Sequence, residues 1–137
     1  MPSFFDTNIL IYTVDHSDPV KQKKARQLLE RETTAGNAII STQVLQEFYS
    51  ASTSKLGTPL DKSVAEQIVS ELMTLPVKQV DTSLIKAAIK RNQNDQVSFW
   101  DALIIETALV VGAHILWSED MQHDREFDGL KIQNPFK

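Results

Sequence analysis

Short apolar runs recur along this chain at the length of a β-strand, each bounded by glycine, proline or a capping residue and followed by enough chain for a helix. Residues 3 to 5 (SFF) form the first and end at Asp6, with a turn or short helix over residues 8 to 14. NAIIS, from Asn37 to Ser41, is the second; VKQV from Val77, HILWS from His114 and LKI from Leu130 follow. Between them lie helical segments. Asp18 and Pro19 supply an N-cap and a first-turn proline for a helix through about Glu32, on which Val20, Lys24 and Leu28 share a line. Thr42 is placed to cap a helix running to Gly57, with Val44, Leu45, Phe48 and Tyr49 on its apolar face. Ser63 to Glu66 spell a capping box for a helix ending near Pro76, Asp81 or Thr82 opens one around Leu84 to Arg91, and Ser98 caps one running to Gly112. This alternation predicts parallel β-α-β units, hence a three-layer α/β/α sandwich around a short parallel sheet of four to five strands. Such sheets bind ligands beyond the carboxyl ends of their strands.

The 137 residues are expected to form one domain over 1–137, long enough to bury a core, with no repeat or linker inside it. With no cysteine, disulfides and thiolate metal sites are excluded, so a metal would be held by carboxylates or histidines. No run of about 18 apolar residues is present, and the N-terminus lacks a basic start and small-residue cleavage site, so the expectation is a cytoplasmic protein without membrane contact. The net charge of −4 argues against broad electrostatic binding of nucleic acid. It leaves room for a carboxylate cluster whose bound cation inverts the local charge.

Four acids stand where apolar chain gives way to polar chain. Asp6 follows the first strand and Asp120 the HILWS strand; Asp101 sits in SFWDALIIETALVVG, apolar nearly all round, and Glu47 lies beside the apolar face of its helix. Each has a structural use: Asp6 caps the segment from Asn8, Asp101 completes an S-x-x-D capping pattern with Ser98, Glu47 is a solvated or paired helix position, and Glu119-Asp120 is turn chemistry. Their coincidence in a fold whose strand ends converge suits a hard divalent cation, which takes oxygen ligands.

The segments FFDTNILIY, STQVLQEFYSA, SFWDALIIETALVVGAHILWSEDMQH and GLKIQNPF, in this order over the whole length, resemble the PIN-domain ribonucleases, and within them the VapC-type toxins of bacterial toxin–antitoxin modules. The resemblance implies that Asp6, Glu47, Asp101 and Asp120 are catalytic acids holding Mg²⁺ or Mn²⁺, with Thr7, Asn8 and Ser118 beside them. Asp120 holds the acid position of the SED pattern, while Glu119 and Asp124 crowd the same loop, Asp124 as an outer ligand. It further implies hydrolysis of RNA phosphodiesters to 5′-phosphate and 3′-hydroxyl ends, a small VapB-like antitoxin, and a homodimer. Lys21, Lys23, Lys24 and Arg26, and the Lys86, Lys90, Arg91 group, are solvated helix faces or guides for an RNA backbone. Trp100 and Trp117, beside two of the acids in sequence, are expected in the core. His123 is expected at the surface.

Two other functions compete. A haloacid-dehalogenase-like phosphatase also uses an aspartate at a strand end, but its D-x-D-G-T pattern is broken by Asn8 and by Ile9-Leu10. A non-catalytic PIN-like module that binds RNA or protein predicts a broken acid set, and here all four acids are present.

Overall fold

A computed structural model describes all 137 residues. Elements run β1 (Ser3–Phe5), α1 (Thr7–Tyr12), α2 (Pro19–Thr34), β2 (Ala38–Ser41), α3 (Thr42–Ser54), α4 (Lys62–Leu72), β3 (Val77–Lys78), α5 (Thr82–Asn94), α6 (Phe99–Val110), β4 (Ile115–Trp117), β5 (Glu126–Phe127) and β6 (Leu130–Gln133). The sheet has six strands in the order β3-β2-β1-β4-β6-β5, against the four to five all-parallel strands expected. All neighbours are parallel except β5 and β6, which pair antiparallel. The unforeseen strand is the two-residue β5, too short to carry a period. It exists because Asp128 (φ 50°) and Gly129 (φ 92°) turn the chain back onto β6.

From β1 the chain steps outward to β2 and β3, then returns to place β4 on the other side of β1. Parallel crossovers are right-handed, so connections running in opposite directions put their helices on opposite faces. Accordingly α1 to α4 pack among themselves and α5 packs on α6. The main core joins Phe4, Phe5, Ile9 and Leu10 to Ile40, Val44, Phe48, Ile105, Leu116, Leu130 and Ile132. Helix α6 is apolar nearly all round because Ile104, Ile105 and Ala108 face that core while Ala102 and Leu103 pack with Leu84 and Ala88 of α5. No helix is long and apolar enough to cross a membrane.

Capping signals hold with two adjustments. Asp18, Asp81 and Ser98 accept from the N–H groups of Lys21, Leu84 and Asp101. Ser41, still extended at the end of β2, caps α3, while Thr42 uses its hydroxyl to accept from Val80 N–H at 3.1 Å. Helix α4 begins at Lys62, so Ser63 lies inside it and no capping box forms. Val20 is exposed, and α2 packs instead through Ala25 and Leu28.

Candidate active site

Strands β1 and β4 are neighbours, so the residues that follow them, Asp6 and Ser118, leave the sheet side by side at the point where its strand order reverses. Asp6 is buried. Its Oδ1 accepts from Thr7 N–H at 2.8 Å; its Oδ2 accepts from the Ser118 hydroxyl at 2.8 Å and the Asn8 amide at 3.1 Å. Burial disfavours its charge more than these donors support it, and the Asp101 and Glu47 carboxylates add repulsion, so its pKa is pushed from 3.8 up to about 7.

Glu47 projects from α3, where the Thr7 hydroxyl donates to its Oε1 at 2.6 Å and the Gln43 amide to its Oε2 at 3.3 Å. Asp101 lies in the first turn of α6; its N–H bonds the Ser98 hydroxyl at 3.1 Å while its carboxyl faces the cleft. Burial and the charges of Asp120 and Glu47 raise its pKa. Asn8 braces the turn after β4: its amide donates to Asp120 Oδ2 at 3.1 Å, and its Oδ1 accepts from Glu119 N–H at 3.0 Å.

These four acids line one cleft of about 530 Å³, together with Thr7, Asn8, Gln43, Tyr12, Lys55 and Trp100. None of the four is in an ion pair with a lysine, arginine or histidine. No three acidic or histidine side chains close around a common point. The donor chemistry fits a hard divalent cation: carboxylate oxygens only, pKa values of Asp6 and Asp101 raised by burial with mutual repulsion added, and no cationic partner.

The neighbouring acids of the same loop are differently engaged, Glu119 within the same cleft and Asp124 outside it. Glu119 forms an ion pair with Lys21 and accepts from the Tyr12 hydroxyl at 2.6 Å, while the Lys21 ammonium stands 5.0 and 5.3 Å from the ring centroids of Tyr12 and Phe136. Asp124 lies outside the cleft in a left-handed turn (φ 68°), bonded to the Gln133 amide at 3.1 Å with Lys131 at 3.6 Å. His123 is half-buried and its Nδ1 accepts from Asn134 N–H at 2.9 Å. Among the proposed guides, Arg91 is committed to Asp95, Glu106 and Asp128, and Arg26 to the Thr13 carbonyl. Sequence reasoning missed Tyr12, Gln43 and Lys55 as cleft residues, and it placed Trp100 in the core, whereas 61% of it is exposed at the cleft. No pattern in the sequence marks which side of a helix turns toward a distant loop.

The family model for the PIN domain matches residues 3–126. Comparison with curated proteins gives no match. Among solved structures, the chain is similar to VapC20 of Mycobacterium tuberculosis, a sarcin-ricin loop cleaving toxin, at TM-score 0.68 and 19% identity over 86% of this chain and 89% of that one. It is similar to a toxin–antitoxin complex from Klebsiella pneumoniae at TM-score 0.68 and 20% identity, covering 97% of each chain. It is also similar to VapBC2 of Rickettsia felis, bound to a DNA fragment from its promoter, at TM-score 0.69 and 19% identity over 98% of each chain.

Proposed function

Because the chain belongs to the PIN-domain family, we propose that it is a divalent-cation-dependent endoribonuclease and the toxin of a toxin–antitoxin pair. The observation that carries this reading is the meeting of Asp6, Glu47, Asp101 and Asp120, from four separate stretches of chain, in one cleft with no basic partner. Unpaired carboxylates gathered around the buried Asp6, with Glu47 and Asp101 half-buried, are costly in a protein that binds no cation, and expected in one that does. Asp120 is the better fourth ligand, since Glu119 is already neutralised by Lys21.

Mg²⁺ or Mn²⁺ held by these acids supplies charge neutralisation at a phosphodiester and makes an adjacent water more acidic. The chain's own residues prepare the acids. Thr7 holds Glu47, Asn8 holds both Asp6 and Asp120, and Ser118 donates to the Asp6 oxygen nearest β4. Asp6, with a pKa near 7, gives up its proton as it takes on the role of ligand. The toxin reading draws on the fold shared with VapC20 and with toxin–antitoxin complexes, and brings with it a small VapB-like antitoxin and a homodimer.

Pure protein incubated with structured RNA and Mg²⁺ or Mn²⁺ tests the reaction. Wild type is expected to cut, and chelator or Asp6→Asn to abolish cutting, with circular dichroism unchanged. Asp120→Asn is expected to cost far more activity than Glu119→Gln. If wild type and Asp6→Asn leave the RNA equally intact, the nuclease reading is lost. Expression from the native operon checks the partner: absence of a co-purifying small protein, together with no growth defect from this chain alone, argues against a toxin.

A further inference from the structure

Trp100 is the second residue of α6, directly before Asp101. Of the large apolar side chains left in solvent, it alone lines the acid cleft. Its sequence neighbour Phe99 is half-buried, packing against the Leu84, Ala88, Ala102 and Leu103 cluster. The two rings meet edge to face, with centroids 5.0 Å apart and planes at 73°, so Phe99 braces the indole. The Gln43 amide donates to both the Trp100 carbonyl and Glu47 Oε2, each at 3.3 Å. These two acceptors fix the amide's orientation even though Gln43 Oε1 is then buried without a partner. One side chain thus ties the indole-bearing turn to a proposed cation ligand.

At the C-cap of α3, Lys55 is exposed, lines the same cleft and makes no ion pair. A braced aromatic face, a cluster of cation-binding acids and a free ammonium in one cleft are the parts of a single-strand nucleic-acid site, where bases stack on aromatic rings and cations follow the phosphates. A tryptophan that anchors a protein partner is typically ringed by apolar and near-neutral contacts. Here the cleft it lines sets Ile11, Leu56 and Ile104 among the carboxylates of Asp6, Glu47, Asp101 and Asp120, and carboxylates that hold a cation suit a nucleotide phosphate better.

We propose that Trp100 is the stacking platform for an unpaired nucleobase of the RNA strand beside the phosphate held at the acids, and that Lys55 holds another phosphate of that strand. The identity of the strand rests on the nuclease reading above. A base inside a duplex is stacked on both faces and has none to offer, so the RNA enters the cleft as an unpaired segment. Because every base has a π-face, the platform takes part in binding without choosing the sequence.

Binding measured in the Asp6→Asn background keeps the strand intact and makes the test independent of cleavage. The probes are a short single-stranded oligoribonucleotide, an abasic strand of the same length, and a duplex of the same sequence. The base-bearing strand should quench indole fluorescence, and Trp100→Ala should weaken its binding about 5- to 150-fold, the range expected for one stacked base. Trp100→Phe should retain most of the affinity, and the duplex should compete poorly. The abasic strand should bind weakly and should not distinguish Trp100 from Ala. Lys55→Ala should weaken both single strands alike and lower the salt dependence. Unchanged affinity of Trp100→Ala for the base-bearing strand overturns the platform, as does an equal loss on the abasic strand, which marks a structural role. If wild type cuts RNA and Trp100→Ala leaves both binding and KM unchanged, the platform falls and the nuclease stands. If wild type cuts nothing while base-dependent binding to Trp100 persists, the nuclease falls and the platform stands.

Discussion

The carboxyl of Asp6 faces two demands that usually fall to different residues. Oδ1 caps the short helix α1 through Thr7 N–H, and Oδ2 points with Ser118 and Asn8 toward the other acids. Capping and the proposed ligation are therefore compatible, one oxygen for each. The consequence is electrostatic. With a folded pKa of about 7 against an ordinary 3.8, Asp6 binds its proton more tightly in the folded chain. The stability this gives is fully present below the unfolded pKa and is lost as pH rises through the folded one. In the presence of chelator, wild type should lose thermal stability from about pH 4 to about pH 7, and Asp101 shifts in the same direction. Asp6→Asn should flatten much of that slope, and Mg²⁺ should stabilise wild type most at the alkaline end. A melting temperature independent of pH over this window in chelated wild type would refute the account.

Helix boundaries were legible where one side chain does the capping. Asp18 and Ser98 act within three residues, so sequence alone places them, while for α5 it leaves Asp81 beside Thr82 and the structure takes Asp81. Where two candidates adjoin, tertiary contact decides: Ser41 is still strand in conformation and caps α3, while Thr42 is drawn to Val80. Chemical denaturation should separate them. Ser41→Ala is expected to cost about 1 kcal/mol, and Ser63→Ala, inside an exposed helical turn, only a few tenths. Equal effects would return the start of α4 to Ser63. The same logic explains Val20, which continues a helical line in sequence but projects into solvent because α2 packs through Ala25 and Leu28.

At the scale of the molecule, Arg91 joins three parts of the fold. Its guanidinium bonds Asp95 of the α5 C-terminus, Glu106 of α6 and Asp128 of the β5–β6 turn, each at 2.8 Å, and stands 5.3 Å from the centroid of Phe127. As sequence it was one more basic residue on a helix; in the fold it is largely buried and has no charge to spare for RNA. Arg91→Ala should destabilise the protein by roughly 2–4 kcal/mol in urea, discounted from a fully buried network because Asp128 is mostly exposed. Arg91→Lys should not restore it, since an ammonium cannot serve three carboxylates as the planar fork does. Cleavage per folded molecule should be unchanged, because Arg91 lies away from the acid cleft. The sequence by itself determined the strand and helix alternation, most of the caps, and the acids at strand ends, because these depend on residues within a few positions of one another. Only the tertiary structure decided that β1 and β4 lie side by side, which brings Asn8 onto Asp120 across 112 positions of chain. It also decided that Lys21 pairs with Glu119, and that Trp100 faces the cleft while Phe99 packs toward Leu84 and Ala88 of α5. Distance between remote residues and access to solvent arise only when the sheet closes, so no local pattern encodes them.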